Sequence, residues 1–190
     1  MRPTDSYRVT EIFYSLQGEG FWTGTPAVFV RLSGCNRACP FCDTDFSTYT
    51  PMNAGEIAAA AAAYPARHVV VTGGEPLLQL DDALISRLKE FGFYIHIETN
   101  GTLPVPEGVD WVTCSPKDPP LAIDRADELK IVFQNQDVEA IADDFVERLG
   151  VRNLFLQPCS GLNVRQTIEY IMSHPRWRLS LQTHKLVGIQ

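Results

Sequence analysis

The sequence predicts an α/β fold, an incomplete (partial) βα barrel of about six mostly parallel strands. Three observations carry this. Six short, β-branched apolar runs are bounded by Gly, Pro or polar residues, as buried strands are. Segments with helical spacing lie between several of them, and strands alternating with helices imply parallel βα units with right-handed crossovers. The length of 190 residues falls short of the roughly 250 typical of a closed eight-stranded barrel.

In chain order, a strand is expected over Tyr7–Leu16 as an antiparallel extension, followed by the first parallel strand, Ala27–Val30. A helix over 53–64 follows from Gly55-Glu56-Ile57 leading into Ala58–Ala63, since Ala is the best helix former and Pro65 restricts Tyr64. Further strands fall at Val69–Val71, Tyr94–Ile97, Trp111–Cys114, Leu129–Phe133 and Leu154–Leu156. Helical spacing marks Asp81–Phe91, Val138–Leu149 and Val164–Met172. The stretch between Cys114 and Leu129 is too short for a full crossover helix, which favours an open barrel. A last strand over Trp177–Gln182 is expected as a second antiparallel extension.

Composition narrows the function classes. No repeat, charge block or flexible linker marks a boundary, so residues 1–190 are expected to form one domain. Sixteen Lys and Arg against 23 Asp and Glu give a net charge of −7, with no global footprint for nucleic acid or an anionic membrane. The N-terminus has no signal-like apolar stretch, and the eight-residue run Ile57–Tyr64 is too short to span a bilayer. A cytoplasmic protein is the expectation. In that reducing setting an odd count of five Cys indicates free thiols or metal ligands.

Cys35, Cys39 and Cys42 lie within eight residues, directly after the first parallel strand. Structural zinc sites want four ligands, commonly in two separated pairs, and ferredoxin runs have another spacing with a fourth Cys. Three thiolates on a four-iron cluster leave one iron open to a substrate or cofactor. The alternative is a zinc site completed by Cys114, Cys159 or one of His68, His96, His174 and His184; Cys114, in an apolar strand, also reads as a buried small hydrophobe.

The spacing Cys-x3-Cys-x2-Cys, with Phe41 before the third Cys, resembles the radical S-adenosylmethionine (SAM) superfamily. That resemblance implies a 4Fe-4S cluster on the three Cys and a bound SAM cleaved to a deoxyadenosyl radical. A parallel sheet brings the other strand ends to the same face. Thr72-Gly73-Gly74-Glu75-Pro76 follows the second parallel strand, where paired glycines permit close backbone approach, although the same residues can form a plain tight turn. By resemblance Phe41, Gly74, Glu75, Ser115, Pro116, Lys117 and Gln157 contact the cofactor. Glu98–Thr102, after the third parallel strand, resembles a further cofactor or substrate loop of the same superfamily.

Leu16-Gln17-Gly18-Glu19-Gly20 is punctuated by Gly but leads into a strand rather than a helix, so it is no dinucleotide fingerprint. Alone it reads as a hairpin loop. Together with Arg31, Thr72, Ser115-Pro116-Lys117 and the tail Leu181–Lys185, it resembles the 7-carboxy-7-deazaguanine synthase family, from about Glu11 to Gln190. The family's reaction is a radical ring contraction of 6-carboxy-5,6,7,8-tetrahydropterin with loss of ammonia, in queuosine and 7-deazapurine biosynthesis. The resemblance implies substrate contacts at Leu16, Gln17, Gly18, Arg31, Thr72 and Gln190, a Mg²⁺ on Thr44, an external flavodoxin-like one-electron donor and a homodimer. Some members carry a longer insertion in the cysteine loop; this chain has the short form, so contacts made by such an insertion do not transfer. Arg31 offers a planar fork for a carboxylate, or else a structural ion pair. Two competing readings are a radical SAM activase acting on a protein partner, which has no need of a pterin-edge loop, and a non-enzymatic metal-binding module.

Overall fold

The computed structural model describes residues 6–42, 44–117 and 119–190; the first five residues of the expected domain, Asp43 of the cysteine segment and Asp118 lie outside the described residues. Nine strands form one sheet in the order β3-β1-β2-β4-β5-β6-β7-β8-β9. They are β1 (Tyr7–Leu16), β2 (Pro26–Leu32), β3 (Thr50–Met52), β4 (His68–Gly73), β5 (Tyr94–Thr99), β6 (Trp111–Cys114), β7 (Glu128–Phe133), β8 (Asn153–Pro158) and β9 (Arg178–Leu179). The helices are α1 (Ala54–Ala62), α2 (Asp82–Glu90), α3 (Val138–Leu149), α4 (Val164–Ser173) and α5 (Thr183–Val187). From β2 through β9 every neighbouring pair is parallel. β1 pairs antiparallel with β2, and β3 with β1. The sheet stays open, with β3 and β9 at its edges, as expected for a partial barrel.

Local chemistry fixes the helix starts. Asn53 and Glu56 form a reciprocal capping box on α1, and Asp81 caps α2 through the Leu84 amide at 3.1 Å. Among the described residues no helix forms between β5 and β6 or between β6 and β7, in keeping with the short connections. Two expectations need correction. The last strand is not an antiparallel extension: α4 carries the chain across the outer face and back to the same end, so β9 enters parallel to β8. It is also shorter than 177–182. The three-residue edge strand β3 was not anticipated, because Thr50-Pro51-Met52 carries no apolar run. Among the described residues no helix is long and apolar enough to cross a membrane.

The strands divide cleanly by parity. Val28, Val30 and Leu32, Val69 and Val71, Ile95 and Ile97, Leu129 and Ile131, and Leu154 and Leu156 pack outward with Ile57, Leu84, Leu88 and Phe145 of the helices. Successive side chains of a strand point to opposite faces, so the alternate residues Arg31, Thr72, Glu98, Lys130 and Gln157 face the barrel interior, where all five line one cleft. The main apolar core is thus the outer layer, and the interior mixes these polar side chains with Phe29 and Val70.

Candidate active site

The cleft holds about 550 Å³ at the C-terminal ends of the parallel strands. Cys35, Cys39 and Cys42 line it, on the loop leaving β2, and Cys42 is exposed. The Cys42 amide donates to the Cys39 carbonyl at 3.1 Å, folding the loop back on itself. The Cys35 sulfur accepts from the Arg37 amide at 3.4 Å and lies 4.0 Å from the Asn100 amide nitrogen. Asn100 Oδ1 accepts from the Thr102 amide and hydroxyl, at 3.0 and 2.6 Å, so Nδ2 of the same side chain faces Cys35 and Asn36.

All three cysteines line one cleft, and among the described residues no group of three His, Cys, Asp or Glu side chains is placed to hold a single metal ion. A mononuclear zinc site draws its ligands to one ion at about 2.3 Å, whereas a cluster takes one thiolate on each of several irons. The donor set fits the cluster. Cys114 is fully buried among apolar side chains, which push its thiol far above the ordinary range. Cys159 lines the cleft at the end of β8, 3.7 Å from the Gln134 amide nitrogen.

Glycines seat the cysteine loop. Gly73 has φ 137°, and a Cβ there would meet the Leu32 carbonyl oxygen at 1.9 Å. A Cβ on Gly74 would meet the Gly34 carbonyl oxygen at 2.1 Å and the Cys35 Cβ at 2.8 Å. The amides of Gly74 and Glu75 donate to Leu32 and Gly34 at 3.2 and 2.9 Å, fastening the β4 loop under the thiols.

The Glu75 side chain is fully buried and is not among the residues that line the cleft. It accepts from the Leu77 amide, the Thr99 hydroxyl and the Asn100 amide, at 3.0, 2.8 and 2.7 Å. Burial still raises its carboxyl above the usual range, these bonds opposing it. Pro116 also stays off the lining, while Ser115 and Lys117 are on it. Lys117 donates to Ser115 at 2.9 Å and sits 5.4 Å from the Phe41 ring centre, and burial lowers its ammonium.

Leu16, Gln17, Gly18, Arg31, Thr44, Thr72, Gln157 and Gln190 all line the cleft. Arg31 pairs through Nε with Glu11 at 2.7 Å, over stacked Phe13 and Phe29. The second Glu11 oxygen accepts from the Gln190 side chain at 2.7 Å. Sequence reasoning missed the cleft floor. There Lys130 Nζ donates to Glu19 and Glu98 at 2.6 and 2.7 Å, and below them His68, His96 and Glu128 are buried. Charged residues at alternate positions of otherwise β-branched strands, Glu98 in β5 and Glu128 and Lys130 in β7, were the signal that could have found it.

Glu128 Oε2 accepts from the Phe21 amide at 3.1 Å, while Oε1 is buried with no hydrogen-bond partner among the described residues. Burial raises this carboxyl from 4.5 to about 7. The folded protein therefore keeps the proton to higher pH than the unfolded chain does, so this group costs stability as pH rises from 4.5 to 7. At about 1.4 kcal/mol per pH unit, Glu128→Gln should gain about 2–3 kcal/mol over the parent at pH 8 relative to pH 5, read by urea unfolding. His96, held neutral by burial below its ordinary 6.5, acts in the opposite sense in both proteins. It therefore drops out of the difference. An equal gap at both pH values would refute the assignment.

Comparison with known proteins agrees with this geometry. Residues 29–120 match the Radical SAM superfamily. The chain is 55% identical over 184 residues to a 7-carboxy-7-deazaguanine synthase of Bacteroides thetaiotaomicron, covering 96% of this chain and 98% of that one. It is 45% identical to the Bordetella pertussis 7-carboxy-7-deazaguanine synthase, covering 97% and 99%. The crystal structure of QueE from Escherichia coli superposes with a TM-score of 0.79 at 32% identity, covering 93% of each chain.

Proposed function

Because the chain belongs to the 7-carboxy-7-deazaguanine synthases of the radical SAM superfamily, we propose that it catalyses the family's ring contraction of 6-carboxy-5,6,7,8-tetrahydropterin to 7-carboxy-7-deazaguanine, with loss of ammonia. The observation that carries this reading is one cleft lined at once by the three thiols, by the strand ends of β4 to β8 and by the Leu16–Glu19 loop.

Cys35, Cys39 and Cys42 would hold the 4Fe-4S cluster. With SAM bound, the pair supplies a 5′-deoxyadenosyl radical, the hard chemistry that the protein only has to orient and shield. Phe41, Gly74, Ser115, Lys117 and Gln157 would form the SAM pocket. Glu75 would act there through its backbone and by holding the Thr99-Asn100 turn, and Pro116 by shaping its loop. Leu16, Gln17, Gly18 and Thr72 line the cleft and would contact the flat heterocycle, with Thr72 adding a hydroxyl. Arg31 would take the substrate carboxylate in place of Glu11, since a guanidinium fork suits a carboxylate bidentately. Gln190, already against Glu11, would close that side. Thr44 offers a hard oxygen for Mg²⁺, which binds few protein ligands and keeps several waters.

The electron donor of the flavodoxin class, a homodimeric assembly, a cytoplasmic setting and a single radical SAM unit over 1–190 belong to the same proposal. The first two rest on the family resemblance. The third is supported by all five cysteines being free thiols, as a reducing compartment keeps them, and the fourth by the absence of a linker or repeat in the sequence.

Anaerobically reconstituted protein given SAM, Mg²⁺, dithionite and the carboxypterin should yield a product with the mass of 7-carboxy-7-deazaguanine, with SAM not consumed stoichiometrically. Fully iron-loaded protein that cleaves SAM yet yields no deazaguanine would point instead to an activase. Loaded protein that leaves SAM intact would point to a binding module. Either result defeats the proposal.

A further inference from the structure

We propose that Lys130, on β7, is a positioning residue that fixes the Gln17–Glu19 loop and the C-terminal segment in the arrangement that receives the substrate. This rests on the function proposed above but concerns a residue that neither the motifs nor the family resemblance singled out.

The Lys130 side chain is 5% exposed and faces the barrel interior. It donates to Glu19 Oε2 at 2.6 Å and to Glu98 Oε2 at 2.7 Å, joining the β1–β2 loop to the end of β5. Each carboxylate uses its other oxygen to hold a second segment. Glu98 Oε1 accepts from Gln17 Nε2 at 3.2 Å, and Glu19 Oε1 from Gln182 Nε2 at 2.9 Å. Between Gln17 and Glu19, the Gly18 carbonyl accepts from the Thr183 amide and hydroxyl at 3.0 and 2.9 Å. A Cβ on Gly18 would lie 2.1 Å from His184 Nδ1, so the tail packs directly on the loop.

One buried cation thus serves two carboxylates, and through them the loop and the tail are held together. Without it, two like charges would face each other on the half-buried cleft floor, and at least one would have to take a proton or swing away. Either movement breaks the Glu98–Gln17 or the Glu19–Gln182 hydrogen bond. Among the described residues no hydrogen bond joins the cysteine loop or the Gly73-Gly74 seat to this network, so the effect should fall on substrate binding and not on iron or SAM.

Lys130→Met should raise the KM for the carboxypterin at least tenfold and increase the 5′-deoxyadenosine released per deazaguanine formed. kcat should fall less than threefold, with iron content and the KM for SAM as in the parent. Lys130→Arg, which keeps the charge, should recover most of the KM. The Lys130→Met substitution should also multiply KM by a smaller factor in a Glu98→Gln background than in the parent, because part of what Lys130 holds is already gone. That background keeps the net buried charge of the double variant equal to the parent's and provides the comparison should Lys130→Met alone not fold. A parental KM in Lys130→Met, equal impairment of Met and Arg variants, or the same factor in both backgrounds would overturn the proposal. Failure of the parent to make the deazaguanine would instead overturn the functional reading.

Discussion

Cys39→Ala is expected to abolish turnover and lower reconstituted iron to a small fraction of the parent's, while Cys114→Ala leaves iron content unchanged. Both residues are thiols, yet their surroundings differ in kind. Cys39 lines the open cleft on a short loop with two further thiols, where a thiolate can form and meet iron. Cys114 is fully buried on the outer face of β6, beside Gly101, with its proton held tightly by the apolar surroundings. Iron analysis and the charge-transfer absorbance of the loaded protein read the difference directly. Equal loss of iron in the two variants would mean that Cys114 reaches the metal and that the three-thiolate assignment is wrong.

Gly74→Ala should have the next largest effect, at least tenfold on activity together with a loss of half or more of the iron. A methyl group there would sit 2.1 Å from the Gly34 carbonyl oxygen and 2.5 Å from its carbon. Those are backbone atoms at the root of the cysteine loop, so no rotamer change relieves the contact. Overpacking of this kind costs about 1–3 kcal/mol, and the part that can yield is the loop itself. Full iron loading and parental activity in Gly74→Ala would show that the seat is more pliable than its hydrogen bonds suggest. The glycine pair therefore has a packing role beneath the thiols in addition to any approach it allows a ligand.

Much of the fold was legible in the residues. Seven of the strands, the four main helices and the face on which the loops gather follow from apolar runs, capping residues and the parallel βα rule, all of them local patterns. The direction of β9 was not legible, because two residues of strand carry no orientation and only the crossover through α4 decides it. The cysteine triplet, Gly73-Gly74 and the Leu16–Gly20 loop could be picked out because they are contiguous. The roles of Glu75 and Lys130 could not. Glu75 sits in a motif suggestive of a ligand contact, but its carboxylate is already bonded to Leu77, Thr99 and Asn100.

The sequence by itself determined which residues alternate along each strand and which thiols stand close enough to share a cluster, because both depend only on spacing along the chain. Tertiary structure alone decided which parity of each strand faces the cleft. It also decided that Lys130, 111 residues from Glu19 and 32 from Glu98, meets both on one floor. A buried charge finds its partners through the closure of the sheet, and no local pattern of side chains carries that distance.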